Sequence, residues 1–163
     1  MGIDLDYPTA LYKAMVASGV EVPSKGALIA TIADRDKEEA GELIRDFAKL
    51  GFSIYATAGT QAYLGSIGVE STLVRKIHEG KDNIADLIRS GRVHLVLNTL
   101  SPDRNPEREG ARIRRASVEH AIPCLTSLDT ARALLLALTS RKKTEEFSLL
   151  PIHEYVAMPG PAA

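Results

Sequence analysis

One apolar run without alternation, Ala27-Leu28-Ile29-Ala30-Thr31-Ile32-Ala33, constrains the fold more than any other stretch of the chain. A strand with one face in water alternates apolar and polar residues, whereas a strand covered on both faces is apolar throughout. Fully covered strands belong to parallel sheets, whose crossover connections place helices on the two faces. The run therefore predicts a strand inside a parallel α/β sheet.

Helical and apolar segments alternate along the rest of the chain. We predict four further strands, at residues 52–56, 69–74, 93–98 and 122–125, and helices at 8–18, after Asp36 as far as Gly51, at 60–67, 83–90, 109–120 and from Thr126 or Ser127 onward. Asp36 and Glu39 resemble a capping box at the start of the second helix. Residues 145–155 are expected to form a short strand and turn. Five alternations predict a three-layer α/β/α fold with a five-stranded parallel sheet.

Composition limits the class of protein. The 163 residues are 45% hydrophobic and 25% charged, which suits one well-buried core. Twenty basic and 21 acidic residues nearly cancel, so no net field draws the chain to nucleic acid or to an anionic membrane, and neither is expected as a partner. The single cysteine, Cys124, cannot form an internal disulfide, and no targeting or membrane-spanning segment is recognisable. A cytoplasmic location is expected.

The segment Thr57-Ala58-Gly59-Thr60 joins a predicted strand to a predicted helix. The first turn of a helix has unpaired N–H groups and a partial positive charge, and two threonine hydroxyls add to this anion-binding character. A phosphate would fit there. The alternative interpretation is that Thr57 or Thr60 merely caps the helix.

Other polar residues follow the carboxyl ends of neighbouring predicted strands, where parallel sheets bind ligands. They are Thr31, with Lys37 at the start of the next helix, then Lys76 and Asn98. Two lysines and several hydroxyls would balance a phosphate dianion, and the amide of Asn98 could donate and accept hydrogen bonds toward a base or sugar. The set favours a phosphate-bearing ligand.

Other chemistry has little support in the sequence. No dinucleotide-binding or nucleoside-triphosphatase glycine motif is present. The four histidines lack the spacing of metal ligands, so no metal is expected. Cys124 is interpreted as an inert apolar residue, and the cluster Arg112, Arg114 and Arg115 as a solvated helix face.

Several motifs together resemble the C-terminal regulatory domain of the carbamoyl phosphate synthetase large subunit. They are Asp36-Lys37-Glu38, Thr57-Ala58-Gly59-Thr60, Lys76-Ile77-His78-Glu79-Gly80, Leu97-Asn98-Thr99 and Arg112-Ile113-Arg114-Arg115. The resemblance extends over about residues 1–157. It implies a methylglyoxal-synthase-like domain at 26–157, preceded by a leading helix and linker from the synthetase core at 1–25 and followed by a flexible tail at 158–163.

The resemblance also implies a function. Domains of this family bind UMP as an inhibitor and IMP as an activator, so this chain would be a regulatory part of a glutamine-hydrolysing ligase. By the same resemblance Lys37, Thr57, Gly59 and Thr60 would hold the phosphate, Thr31, Lys76 and Asn98 would serve the ribose or base, and Thr126 would lie at an ornithine boundary. Leu100 and Cys124 depart from the pattern, at positions expected to serve base recognition and ornithine coupling.

The implied partners are the nucleotide effectors, the synthetase core of the same large chain and, through it, the small glutaminase subunit. No cofactor is expected in this domain, and ATP with Mg²⁺ would serve the parent enzyme. A rival prediction comes from methylglyoxal synthase, which shares the fold and acts on dihydroxyacetone phosphate. That enzyme uses an acidic base where this chain has Lys81, one residue before Asp82. A lysine of ordinary pKa is protonated at neutral pH and cannot act as that base.

Overall fold

A computed structural model of the chain describes residues 1–19, 23–99, 109–143 and 150–157. Five strands form one sheet, and every pairing in it is parallel. The strands are β1 (Gly26–Thr31), β2 (Phe52–Ala56), β3 (Thr72–Leu73), β4 (Leu95–Asn98) and β5 (Cys124–Leu125), in the spatial order β3-β2-β1-β4-β5. The predicted fold class is confirmed.

The first strand occupies the centre of the sheet, as its uninterrupted apolar sequence requires. Leu28, Ile29 and Ala30 are completely buried. In the register of the sheet, Ala30 pairs with Ala56 of β2 and Thr31 pairs with Asn98 of β4. The carboxyl end of β1 is therefore flanked on both sides by strands whose following residues are polar.

Helices account for most of the remaining described residues. They are α1 (Tyr7–Ala17), α2 (Lys37–Leu50), α3 (Ala58–Ser66), α4 (Ile84–Arg89), α5 (Glu109–Glu119), α6 (Leu128–Lys143) and α7 (Ile152–Ala157), with short 3₁₀ turns at Asp34–Asp36 and Ile77–Glu79. In the described part of the chain, none of these helices combines the length and the apolar character needed to cross a membrane.

Two local predictions are wrong. The short strand expected within residues 145–155 is replaced at 152–155 by the start of α7, which follows Pro151, a residue whose fixed φ suits a helix start; residues 144–149 lie outside the described part. The capping box at Asp36 does not form, because Asp36 belongs to a 3₁₀ turn and its carboxylate accepts a hydrogen bond from Arg35 Nε at 3.2 Å instead. The second helix starts without a side-chain cap.

The chain divides into two compact units. Pro23–Ala131, here called the sheet unit, contains all five strands, and the residues before and after it, here called the flanking unit, contain α1 and α7. The domain boundaries predicted after residues 25 and 157 stay predictions, and the predicted tail at 158–163 lies outside the described residues.

Apolar residues of three helices, α2, α4 and α5, pack against the sheet. Ile29 of β1 and Val96 of β4 belong to a buried cluster with residues of α4 and α5, namely Ile84, Leu87, Ile88 and Ile113. On α2, the ring of Phe47 is completely buried and meets the ring of Phe52 edge to face, at 5.5 Å between centroids. These contacts fix the helices whose first residues border the carboxyl edge of the sheet.

The flanking unit contains a partly buried ion pair. Lys13 of α1 contacts Asp4 at 2.6 Å and donates a hydrogen bond to the hydroxyl of Tyr155 at 2.9 Å. Burial disfavours the charged lysine, but the bonds to Asp4 and Tyr155 outweigh burial and hold the pKa of Lys13 above its ordinary value. Asp6 caps α1 by accepting the amide of Thr9 at 3.0 Å.

Replacing Phe47 with alanine should lower the free energy of unfolding by about 3 to 5 kcal/mol, because the change leaves a cavity and removes the aromatic pair with Phe52. The measurement is urea unfolding followed by circular dichroism. Val118→Ala is the control, since Val118 is 77% exposed and should change stability by less than about 0.5 kcal/mol. Equal stability of the two variants would contradict the assigned core.

Candidate functional site

The switch point of the sheet lies between β1 and β4. The chain proceeds from β1 to β2 on one side and later returns to add β4 on the other, so a crevice opens at the carboxyl ends of these strands. Thr31 and Asn98 face each other across this point in the sheet register. The predicted polar residues of strands one, two and four therefore converge at one edge.

Thr57 and Thr60 shape the start of α3 without capping it by a side chain. Thr57 is the N-cap by its backbone alone; its hydroxyl contacts the hydroxyl of Thr60 at 3.4 Å. Thr60 Oγ1 in turn accepts a hydrogen bond from the amide of Ile32 at 3.2 Å. The simple capping interpretation is thus wrong, and the N–H groups of the first turn receive no side-chain acceptor.

Lys37 brings a positive charge to this turn. A Cβ atom added to Gly59 would lie 3.4 Å from Lys37 Nζ, so the ammonium lies directly beside the start of α3. Glycine at this position leaves room for a ligand to approach the backbone. Lys37 also pairs with Asp34 at 2.7 Å, and the Asp34 side chain is 94% exposed.

Lys76 contributes to the same electrostatic environment. The hydrogen bond and charge of Lys37, reinforced by the charge of Lys76, hold the pKa of the Asp34 carboxyl below its ordinary value. The contribution of the ionised Asp34 carboxylate to folding stability is therefore present at neutral pH. It is lost as the pH falls through this lowered pKa. Lys37 and Lys76 are thus two cationic groups at this edge, and the exposed Asp34 carboxylate interacts with both.

The segment after Lys76 forms a short 3₁₀ turn that is held from two sides. Within the turn, the amide of Lys76 donates to Glu79 Oε2 at 2.8 Å. From α5, one carboxylate oxygen of Glu109 accepts the amide of Ile77, and the other contacts His78 Nδ1 at 2.9 Å. The sequence analysis did not identify Glu109, because its partners lie about 30 residues away and no local pattern marks it.

Asn98 serves as a structural bridge at the switch point. Its Oδ1 accepts the hydroxyl of Thr31 at 2.7 Å, and its Nδ2 donates to the carbonyl of Gly110 at 3.2 Å. The neighbouring Thr99, which the sequence analysis did not select, accepts the amide of Ala33 through Oγ1 at 2.8 Å. The role predicted for Asn98 toward a base or sugar stays a prediction, and any ligand would share its amide with these partners.

Arg114 differs from its neighbours in the basic cluster. Arg112 and Arg115 are exposed, as expected of a solvated face, but Arg114 Nη1 is buried and has no hydrogen-bond partner among the described residues. It lies 3.7 Å from the position of a Cβ added to Gly110.

Burial raises the pKa of the nearby Cys124 thiol, which fits its predicted inert character.

The remaining predicted positions lie elsewhere on the sheet unit or at its surface. Thr126 follows β5, the outermost strand beyond β4, and is exposed. Lys81 and Asp82 are exposed in the connection before α4, and Asp82 has a positive φ of 58°. Leu100 lies outside the described residues. Within the described residues no group of three histidine, cysteine, aspartate or glutamate side chains could hold a metal ion.

The sequence of the chain matches a known protein family. Residues 39–126, more than half of the chain, match the MGS-like domain. The chain belongs to the MGS-like domain family. The match includes β2 to β5 and the Thr57–Thr60 turn, and it begins two residues after Lys37.

Solved structures share the fold of this MGS-like domain. The crystal structure of methylglyoxal synthase from Elizabethkingia anophelis NUHP1 superposes with a TM-score of 0.56 at 17% identity, covering 70% of this chain and 79% of that one. The crystal structure of ForH gives a TM-score of 0.53 at 19% identity, covering 83% and 89%. At such low identity the likeness establishes the fold alone.

Thr60→Val should lower the free energy of unfolding by about 1 to 3 kcal/mol, because valine keeps the shape of threonine but leaves the buried amide of Ile32 without its acceptor. Thr72→Val, at an exposed position of β3, is the matched control. Chemical denaturation of both variants measures the difference. A loss no larger than that of the control would show that the Thr60 hydroxyl is not needed for the fold.

Asp34→Asn should bind inorganic phosphate severalfold more tightly than the unaltered chain, because the carboxylate competes with an anion for Lys37. The control is Asp46→Asn, which removes an ion pair of the same 2.7 Å length and spacing at Lys49, away from the site. Calorimetric titration with phosphate compares the three proteins. Weaker binding in the Asp34 variant would mean that Lys37 requires Asp34 to keep its position.

Proposed function

We propose that this MGS-like domain is the nucleotide-sensing regulatory domain of a glutamine-hydrolysing carbamoyl phosphate synthetase large chain. One observation carries the proposal: Lys37 Nζ lies beside Gly59 at a helix start that no side chain caps. A phosphate there would accept the backbone N–H groups of the first turn and pair with the ammonium. Lys76 adds a second positive charge to the same edge of the sheet.

The surroundings of this phosphate site suit a nucleoside monophosphate. Thr31 at the end of β1 and Asn98 at the end of β4 pair in the sheet register at the same edge, and their polar groups are the proposed partners of a ribose or base. UMP as inhibitor and IMP as activator are the effectors implied by the resemblance to the synthetase domain. Binding of either would alter the rate at which a cytoplasmic parent enzyme, using ATP with Mg²⁺ and a glutaminase subunit, makes carbamoyl phosphate for pyrimidine and arginine synthesis.

Regulation requires that an effector bind the active and inactive states of the parent with different affinity, commonly by about 1 to 3 kcal/mol. The elements that would respond are the Thr57–Thr60 turn and the 3₁₀ turn after Lys76. The first forms the start of α3, and the second follows Lys76 and is attached to α5 through Glu109. A shift of the Lys76 segment on binding would therefore reach a helix that does not itself contain the phosphate site.

The second candidate is methylglyoxal synthase, because a neighbour on the same fold carries that name. That reaction needs a carboxylate base beside the bound phosphate ester. Asp34 is paired with Lys37, and both oxygens of Glu109 are already hydrogen-bonded. Asp82, which is exposed in the connection before α4, is the carboxylate that this alternative would assign as the base.

Titration calorimetry of the chain with UMP and with IMP tests the proposal. We expect binding near the micromolar range, about −8 kcal/mol, and a loss of tenfold or more in Lys37→Ala, because a hydrogen bond to a charged group contributes about 1.5 to 3 kcal/mol. Lys25→Ala is the control, since Lys25 is an exposed lysine just before β1. Equal affinity of the two lysine variants would place the phosphate elsewhere.

The enzymatic alternative is tested on the same protein samples. Incubation with dihydroxyacetone phosphate, followed by a colorimetric assay for methylglyoxal, should give no product above the uncatalysed rate. Product formation that disappears in Asp82→Asn would establish the enzyme and assign Asp82 as its base. Nucleotide binding without product would support the regulatory domain.

A further inference from the structure

Glu109, the first residue of α5, carries a negative charge, which an anion-binding site does not need. Its carboxylate adds negative charge near Lys76, and by electrostatics alone this charge would weaken the binding of a phosphate. Yet both of its oxygens are directed to the segment that follows Lys76. Its position therefore calls for a role other than charge.

The hydrogen bonds indicate what this role is. The turn Ile77–Glu79 is closed by two local bonds, from the amide of Lys76 to Glu79 and from the amide of Glu79 to the carbonyl of Lys76 at 3.0 Å. Two contacts outside the turn locate the segment on the sheet: Ile77 packs against the buried cluster that contains Ile29 of β1, and the amide of Val74 donates to the carbonyl of Ala56 at 2.9 Å. Glu109 supplies a long-range attachment, because it accepts the amide of Ile77, 32 residues away.

Glu109 is itself fixed to the site by the next residue. The carbonyl of Gly110 accepts Asn98 Nδ2 at 3.2 Å, and Asn98 Oδ1 accepts the hydroxyl of Thr31 at 2.7 Å. A Cβ on Gly110 would lie 3.4 Å from Asn98 Nδ2, so the helix start packs closely on the end of β4. A continuous chain of contacts thus joins the Lys76 segment to the carboxyl end of β1.

We infer that Glu109 is the positioning residue that holds Lys76 at the anion site. The inference rests on the proposed function, since it assigns to Glu109 the alignment of one of the two phosphate-binding lysines. Glu109 acts through the backbone amide of Ile77 and through His78, and its own contacts are with protein groups. The benefit of a fixed lysine exceeds the repulsion that the carboxylate exerts on the anion.

If Glu109 positions Lys76, its removal should weaken phosphate binding. If Glu109 acts only through its negative charge, its removal should strengthen phosphate binding. Glu109→Ala should weaken the binding of inorganic phosphate about tenfold, measured by calorimetry. Glu109→Gln should stay within about threefold of the unaltered chain, because the amide oxygen can still accept the amide of Ile77 while the amide nitrogen donates to a neutral His78. Rescue by this conservative variant would not follow from a role of charge.

Glu119→Gln is the charge-matched control, an exposed glutamate at the far end of the same helix, about 15 Å away at 1.5 Å per residue. It should bind phosphate as the unaltered chain does. Phosphate binding that is unchanged or tighter in Glu109→Ala would overturn the inference. Circular dichroism on each variant verifies that the fold is retained.

Amide hydrogen exchange tests the same inference without any ligand. The amide of Ile77 should exchange at least tenfold faster in Glu109→Ala than in the unaltered chain, and at close to the normal rate in Glu109→Gln. An unchanged rate in Glu109→Ala would overturn the positioning role. If the unaltered chain binds neither phosphate nor nucleotide, the proposed function fails, and the exchange rates still decide whether Glu109 fixes the Lys76 segment.

Discussion

The hydrogen bond from the amide of Ile32 to the hydroxyl of Thr60 is the interaction on which the site depends. Ile32 is the first residue beyond β1, where the sheet ladder no longer supplies a partner for every amide. Thr60 supplies that partner from the first turn of α3, and it is only 2% exposed. The bond fixes the start of α3 against the end of the central strand, and Lys37 at the start of α2 completes the proposed phosphate site beside it.

The same bond explains why the helix start remains available to a ligand. A threonine at an N-cap commonly uses its hydroxyl to accept an amide of its own helix. Here the hydroxyl of Thr57 is directed to Thr60, and the hydroxyl of Thr60 is occupied by the neighbouring strand. The amides of the first turn are left for an external acceptor, and Lys37 lies beside them. In this short segment the threonine hydroxyls stabilise the fold, and the backbone amides are left to bind a ligand.

On the β4 side of β1, hydrogen bonds between residues far apart in the sequence hold the edge of the sheet together. Thr31, Asn98 and Gly110 connect the central strand to β4 and to the start of α5. Glu109 extends this connection to the Lys76 segment. Buried polar groups are costly when unpaired, so a network of this kind rigidifies the edge when it is complete.

Periodicity in the sequence was sufficient to predict the sheet, because apolar runs without alternation leave few folds other than a covered parallel sheet. It also predicted which residues follow each strand, and thus that Thr31, Thr57, Thr60 and Asn98 would share one edge. Helix starts were less predictable: the aspartate at 36 enters a 3₁₀ turn, and a helix replaces the strand expected near Tyr155. Local propensity decides such ends only weakly, since neighbouring contacts override it.

What the sequence by itself determined is the fold and the set of residue types at the carboxyl edge. What only the tertiary structure decided is how their polar groups are paired. Three pairings depend on partners about 30 residues or more away: the amide that Thr60 accepts, the hydroxyl that Asn98 accepts, and the glutamate that accepts the amide of Ile77. Sequence patterns record spacing within one element, whereas hydrogen bonds between elements are fixed by the packing of the folded chain.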